Sequence, residues 1–197
     1  AMQAAVPVGV GAMGALLGLD FAAARGVAEE AAQGQVCQAA NDNDPGQVVV
    51  SGHREAVERA LVIAKERGAK RAMLLPVSAP FHCALMEPAA RAMAEALDDV
   101  DIADPVVPLL ANVTAAPVRD ATRIRALLVD QVTGSVRWRE SVERMAADGV
   151  TEIWEIGTGK ALSGMIRRID KGMATRTVGT PTDVEEAAQS REGGTDV

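Results

Sequence analysis

The sequence has 197 residues, 48% of them hydrophobic, enough to bury a core in one large or two small domains. A net charge of −7 and a pI near 4.9 argue against a nucleic-acid partner, and two Phe, two Trp and no Tyr leave no stacking platform for unpaired bases. Two cysteines make no disulfide framework, no Cys/His cluster has metal-ligand spacing, and neither a long apolar run nor a basic leader marks a membrane span or signal peptide.

Gly9 to Leu19 is small and apolar and predicts a strand. Asp20 is placed to cap a helix with Ala24, Val27, Ala28 and Ala31 on one face and Gly34 just beyond its end. Gln35 to Ala40 predicts a strand, Asn41 to Gly46 a turn of backbone-permissive residues, and Gln47 to Val50 a second strand. Ser51 or Gly52 opens a helix with Val57, Leu61 and Ala64 inward, Glu55 paired with Arg59 at i, i+4, and Gly68 at its end. His53, at that helix start, reads as exposed. Lys70 to Leu75 completes a βαββαβ alternation over residues 10–76, the split βαβ order of a ferredoxin-like subdomain.

Arg71 to Val77 reads as a short buried strand that runs into a turn closed by Pro80. The turn delivers His82, and from Met86 the spacing becomes helical through Ala90, Met93 and Leu97. A histidine at a strand-to-helix turn is placed to face a cleft, and imidazole is the side chain suited to proton transfer near neutral pH. Cys83 beside it cannot form a direct thiol–imidazole dyad, because neighbouring side chains diverge, and reads as a small buried hydrophobe.

Further on, Pro105 to Ala111 predicts a strand, Asn112 to Pro117 a loop, and Thr122 or Arg123 to Val132 a helix. Ser135 is placed to cap a helix carrying Trp138, Val142 and Met145. Glu152 to Ile156 predicts a strand, Gly157-Thr-Gly159 a tight turn, Ala161 to Ile169 a helix and Arg176 to Gly179 a last strand. The polar remainder reads as a frayed tail. Gly157 to Lys160 invites a phosphate-loop reading within a nucleotide-binding domain, but Trp154 stands where that loop needs glycine and Ala161 where it needs Ser or Thr. No serine lies in Gly-x-Ser-x-Gly, so the chain carries a base without a nucleophile elbow.

The string Pro76-Val-Ser-Ala-Pro-Phe-His-Cys-Ala-Leu-Met-Glu-Pro-Ala89 resembles the histidine segment of bacterial malonyl-CoA:acyl carrier protein transacylases. Met2 to Leu19, Pro45 to Val57 and the Glu-x-Gly-x-Gly-Lys-x-Leu stretch from Glu155 to Leu162 resemble the same family in the same order. The resemblance extends to about Thr182. It implies an α/β fold: part of an α/β-hydrolase-like acyltransferase core over 77–182, an inserted ferredoxin-like subdomain over 10–76, and a flexible tail over 183–197.

The implied activity is transfer of malonyl from malonyl-CoA to the phosphopantetheine thiol of acyl carrier protein in fatty-acid synthesis. It proceeds by a Ser–His ping-pong mechanism without metal or redox cofactor. His82 would be the general base and the backbone carbonyl of Gln131 would orient its imidazole. Phe81 and Gln47 would lie near the acyl group, with Phe81 disfavouring an α-methyl branch. Lys70 with Arg71, and Arg167 with Arg168, would meet carrier protein or CoA phosphate. The family's serine and its carboxylate-gripping arginine belong to an N-terminal segment, and Ala1-Met-Gln3 reads as a cut end just past it. The implied partners are therefore acyl carrier protein, malonyl-CoA and that segment, in a reducing cytoplasm, with no membrane or nucleic acid. A competing reading is a non-catalytic acyltransferase relic that only binds carrier protein.

Overall fold

Small and branched apolar side chains line both faces of the first strand, and the strand is buried along nearly its whole length. The computed structural model describes residues 2–192. After a one-turn helix, Met2–Ala5 (α1), strand Gly11–Leu17 (β1) joins Cys37–Asp44 (β2), Gln47–His53 (β3) and Arg71–Leu74 (β4) in an antiparallel sheet ordered β2-β3-β1-β4. Helices Phe21–Ala32 (α2) and Arg54–Glu66 (α3) cover one face of it. Leu16, Val27, Val48, Val50 and Val57 are fully buried between them. Each such side chain contributes about 1.5–3 kcal/mol on leaving water. Asp20 caps α2 by accepting from the Ala23 N–H at 2.7 Å.

Four local expectations change here. The turn over 41–46 shrinks to Pro45-Gly46, with Gly46 at φ +88°, as proline then left-handed glycine suits a tight turn. β2 instead runs on to Asp44 through two register shifts, and the buried Asp42 is held there by Arg139. Ser51 and Gly52 continue β3 opposite Met13 and Ala12, so α3 starts at Arg54. His53 is half-buried, and its Nδ1 accepts from the Val36 N–H at 2.9 Å. Arg59 turns away from Glu55 and donates to the carbonyls of Ala31 and Ala32 at the end of α2, where helical acceptors lack partners.

A Cβ on Gly52 would stand 2.0 Å from the Val36 carbonyl oxygen, which is backbone and cannot swing aside. Gly52→Ala is therefore expected to destabilise by about 1–3 kcal/mol, toward the upper end because the obstacle is backbone. Urea unfolding checks this, and an unchanged midpoint would contradict the close approach.

Beyond β4, a 3-10 turn (Ala84–Met86) leads into Glu87–Asp98 (α4). Helix Ala121–Thr133 (α5) packs on α4 around Met86, Ala89, Ala90 and Val132, and Asp120 caps it by accepting from Arg123 N–H. Between them the expected strand 105–111 is confined to Leu109–Ala111 (β5), and the expected loop contains Ala116–Val118 (β6). The two form a hairpin because Ala115, at φ +50°, reverses the chain. Helix Trp138–Ala147 (α6) comes next, but Ser135 does not cap it: its Oγ donates to the Ala39 carbonyl at 2.6 Å.

Contacts divide the chain into two units between Ser141 and Val142. In the second unit Glu152–Ile156 (β7) and Ala174–Val178 (β8) pair in parallel through the crossover helix Ala161–Ile169 (α7). A further helix, Pro181–Glu192 (α8), occupies most of the stretch expected as a tail. Thr180 Oγ1 accepts from Asp183 N–H while Asp183 accepts from Gly179 and Thr180 N–H, a reciprocal cap that starts the helix. The rest of the expected tail, 193–197, lies outside the described residues. Among the described residues no helix is long and apolar enough to cross a membrane.

Candidate functional site

The sheet face opposite α2 and α3 presents Met13, Ala40 and Val49, and Phe81 packs onto these three. Phe81 also reaches the apolar cluster of α4 and α5, so it fixes the turn that carries His82. The backbone at His82 is left-handed, with φ +58°. A non-glycine residue held there costs on the order of 1–3 kcal/mol and persists only where its surroundings over-determine it. Several contacts do so. Cys83 Sγ donates to the Pro80 carbonyl at 3.1 Å, and the Ala84 N–H donates to Gln38 Oε1 at 2.7 Å.

The imidazole is half-buried, and its Nδ1 lies 3.1 Å from the carbonyl oxygen of Gln131 in the last turn of α5. A carbonyl can only accept, so this contact requires the proton on Nδ1 and leaves the Nε2 lone pair free. The Gln131 side-chain Nε2 is also 3.5 Å from Nδ1, but it already donates to the Gly134 carbonyl at 3.0 Å. The shorter, acceptor-only contact decides the tautomer. A cleft of about 370 Å³ opens beside the ring, lined by Phe21, Arg25, Glu29, Gln38, Thr133 and Ser135 among others. The arrangement places an imidazole of fixed tautomer beside an open cleft, a geometry that proton transfer to or from a bound nucleophile requires.

The other predicted residues take different places. Gln47 opens β3, two residues from Val49 and on the same sheet face, but it does not line the cleft. Lys70 and Arg71 are exposed at the start of β4, with the Lys70 stem over Gly18. Arg167 and Arg168 are exposed in the last turn of α7, where Arg167 Nε donates to Thr175 Oγ1 at 3.2 Å. Cys37 and Cys83 are both buried free thiols. Burial pushes the Cys37 thiol up to about 11, helped by Cys83 and opposed by Arg59. Burial also raises Cys83. Neither is a thiolate near neutral pH.

In the second unit, Glu155 accepts from the Leu162 and Ser163 N–H groups and from Ser163 Oγ. The Ser163 hydroxyl first, then the backbone donors, hold its carboxyl below the usual range. The amides that a phosphate would need at the start of α7 are thus already taken by an anion, which works against the phosphate-loop alternative. Among the described residues no group of three or more His, Cys, Asp or Glu could hold a metal ion.

Sequence reasoning missed Gln38, the Asp42–Arg139 pair and the bond of Ser135 to Ala39. Their partners are up to 97 residues away, and no local spacing signals them.

No protein-family model matches the chain. Among curated proteins, the malonyl CoA-acyl carrier protein transacylase of Salmonella typhimurium is 46% identical over 186 residues, 94% of this chain and 60% of that protein. The Bacillus subtilis protein of the same name is 44% identical over 190 residues, again 60% of its length. Among solved structures, an acyl-carrier-protein-S-malonyltransferase from Bartonella henselae superposes with a TM-score of 0.91 at 53% identity, covering 96% of this chain and 60% of that one. A malonyl-transacylase solved in complex with its type II PKS acyl-carrier protein gives a TM-score of 0.91 at 42% identity, covering 96% of this chain and 61% of that one. The chain is thus homologous to malonyl CoA-acyl carrier protein transacylases and spans about 60% of the length of the curated relatives it matches.

Proposed function

We propose that these residues supply the general base of a malonyl-CoA:acyl carrier protein transacylase. The observation that carries this reading is the His82 imidazole, held at φ +58° with Nδ1 3.1 Å from the Gln131 carbonyl and its ring at an open cleft. In this reading Nε2 takes the proton of a serine hydroxyl as that oxygen attacks the malonyl thioester. The C–S bond breaks, the proton passes to the departing CoA sulfur, and a malonyl-serine ester remains. The phosphopantetheine thiol of carrier protein then gives its proton to Nε2 and attacks the ester. The new thioester leaves, and the serine oxygen regains the proton. The Gln131 carbonyl holds one tautomer throughout without adding a negative charge.

In this reading the serine and the cation for the malonyl carboxylate belong to an N-terminal portion of the enzyme outside these residues. No metal or redox cofactor enters. The strand order β2-β3-β1-β4 supports a ferredoxin-like subdomain, and in this reading it is inserted in an α/β-hydrolase-like core to whose C-terminal part residues 77–182 belong. Phe81 sets the shape of the turn and thereby the acyl site's tolerance for a methyl branch, an effect of about 1–3 kcal/mol. Gln47 shares a sheet face with Val49, onto which Phe81 packs, and in this reading it lies near the acyl group without lining the cleft beside His82. Lys70, Arg71, Arg167 and Arg168 supply local positive charge to acidic carrier protein or CoA phosphate on an otherwise acidic chain. Fatty-acid synthesis in the cytoplasm is the setting, consistent with two buried free thiols.

The test is transfer of radiolabelled malonyl from CoA to carrier protein. The chain alone is expected to give no transfer, and the chain joined to a serine-bearing N-terminal portion of a relative is expected to restore it. Native-like turnover by the chain alone, or a joined protein that folds yet transfers nothing, would contradict the reading.

A further inference from the structure

His82 and Gln131 are 49 residues apart, and their contact depends on two segments being held at a fixed separation. Both segments are moored to one strand. On the His82 side, Gln38 of β2 accepts the Ala84 N–H at 2.7 Å, two residues past the imidazole. On the Gln131 side, the chain leaving α5 is tied to the next residues of β2 by four contacts. Ser135 Oγ donates to the Ala39 carbonyl at 2.6 Å, and Val136 N–H donates to the Ala40 carbonyl at 2.8 Å. Asp42 N–H donates to the Val136 carbonyl at 2.9 Å, and the Asp42 carboxylate binds Arg139. The register shifts in β2 fall between Ala39 and Asn41 and between Asp42 and Asp44, on the stretch that receives these contacts.

We propose that β2 is a brace that sets the His82–Gln131 contact, and that Gln38 and Ser135 are positioning residues acting through it. Gln38 is exposed and lines the cleft, and its bond in this brace is to the turn that holds His82 left-handed. If Gln38 cannot accept, the Ala84 N–H loses its partner and the strained turn relaxes. Nδ1 then drifts from the carbonyl that fixes its proton. Ser135 acts from the other side by holding the segment just past Gln131 against Ala39. The catalytic meaning of the brace rests on His82 being the base proposed above, but its geometry does not.

The test is imidazole ¹⁵N NMR of the chain itself, reading the ratio of Nδ1–H to Nε2–H tautomers at His82. Gln38→Met, which keeps the length but removes the acceptor, is expected to lower that ratio about three- to tenfold, the scale of one hydrogen bond. Ser135→Ala is expected to lower it by a similar factor, whereas Gln38→Glu, which keeps an acceptor oxygen, leaves it unchanged. His53 reports on general disruption, since its Nδ1 accepts from Val36 N–H in the neighbouring part of the fold. An unchanged ratio in Gln38→Met, an equal loss in Gln38→Glu, or a matching change at His53 would each overturn the brace. A brace that responds as described in a joined protein that transfers no malonyl would leave this inference standing and remove the catalytic reading instead.

Discussion

Replacing His82 by alanine in a full-length transacylase built on these residues is expected to slow acylation by malonyl-CoA about 10²–10⁴-fold, the usual contribution of general-base help. The loss should fall on kcat and kcat/KM together if the imidazole acts as the proposed base, touching the reacting proton and not the CoA body. Rapid-quench measurement of the first release of CoA isolates this step from transfer to carrier protein. The fold should tolerate the change. His82 is half-buried, its ring makes a contact with the Gln131 carbonyl, and alanine gains no strain beyond the left-handed φ already present. A variant that acylates at the parent rate would remove His82 from the chemistry. A variant with raised KM and intact kcat would make it a binding residue.

The sequence makes the existence of the elements more legible than their ends. The βαββαβ order and the inward faces of α2 and α3 can be read from periodicity and caps. Ala24, Val27, Ala28 and Ala31 are buried, and Asp20 caps as its position suggests. Boundaries moved where a tertiary contact overrode local propensity. Asn41 to Asp44 looks like a turn by composition, but the Asp42 charge is met by Arg139 and the strand continues. Glu55 and Arg59 have ideal spacing for a pair, yet the unpaired carbonyls ending α2 take the guanidinium. The polar residues after Thr180 have no apolar stripe to predict a helix, and only the Thr180–Asp183 cap marks its start.

At the site, the residue type and its turn are visible in the string around His82, whereas the carbonyl that faces it is not. Nothing in the side chain of Gln131 marks its backbone oxygen as the partner. That position came from family resemblance, and the contact at 3.1 Å is a property of how α5 ends. The left-handed φ of His82 is likewise silent in composition, since the same turn residues permit ordinary backbone angles. Local rules fail here in the manner expected of a strained, over-determined site.

Removing the cation from the Asp42–Arg139 pair is expected to be among the most destabilising single changes in the first unit. Asp42 is 1% exposed, and Arg139 reaches it with Nη2 at 2.8 Å and Nε at 3.0 Å, a two-pronged contact. Arg139→Met keeps much of the apolar stem but leaves a buried carboxylate without its guanidinium, which costs about 3–5 kcal/mol. Asp42→Asn together with Arg139→Met removes both charges, and most of that loss should return, because the larger part is the cost of burying the carboxylate without this guanidinium and not the pair's net attraction. Urea unfolding of the two single variants and the double variant closes the cycle. If Arg139→Met alone costs less than about 1 kcal/mol, the pair behaves like an exposed one. The bulged strand would then hold its course through the backbone bonds of Ala40 and Asp42 to Val136, with the ion pair adding little.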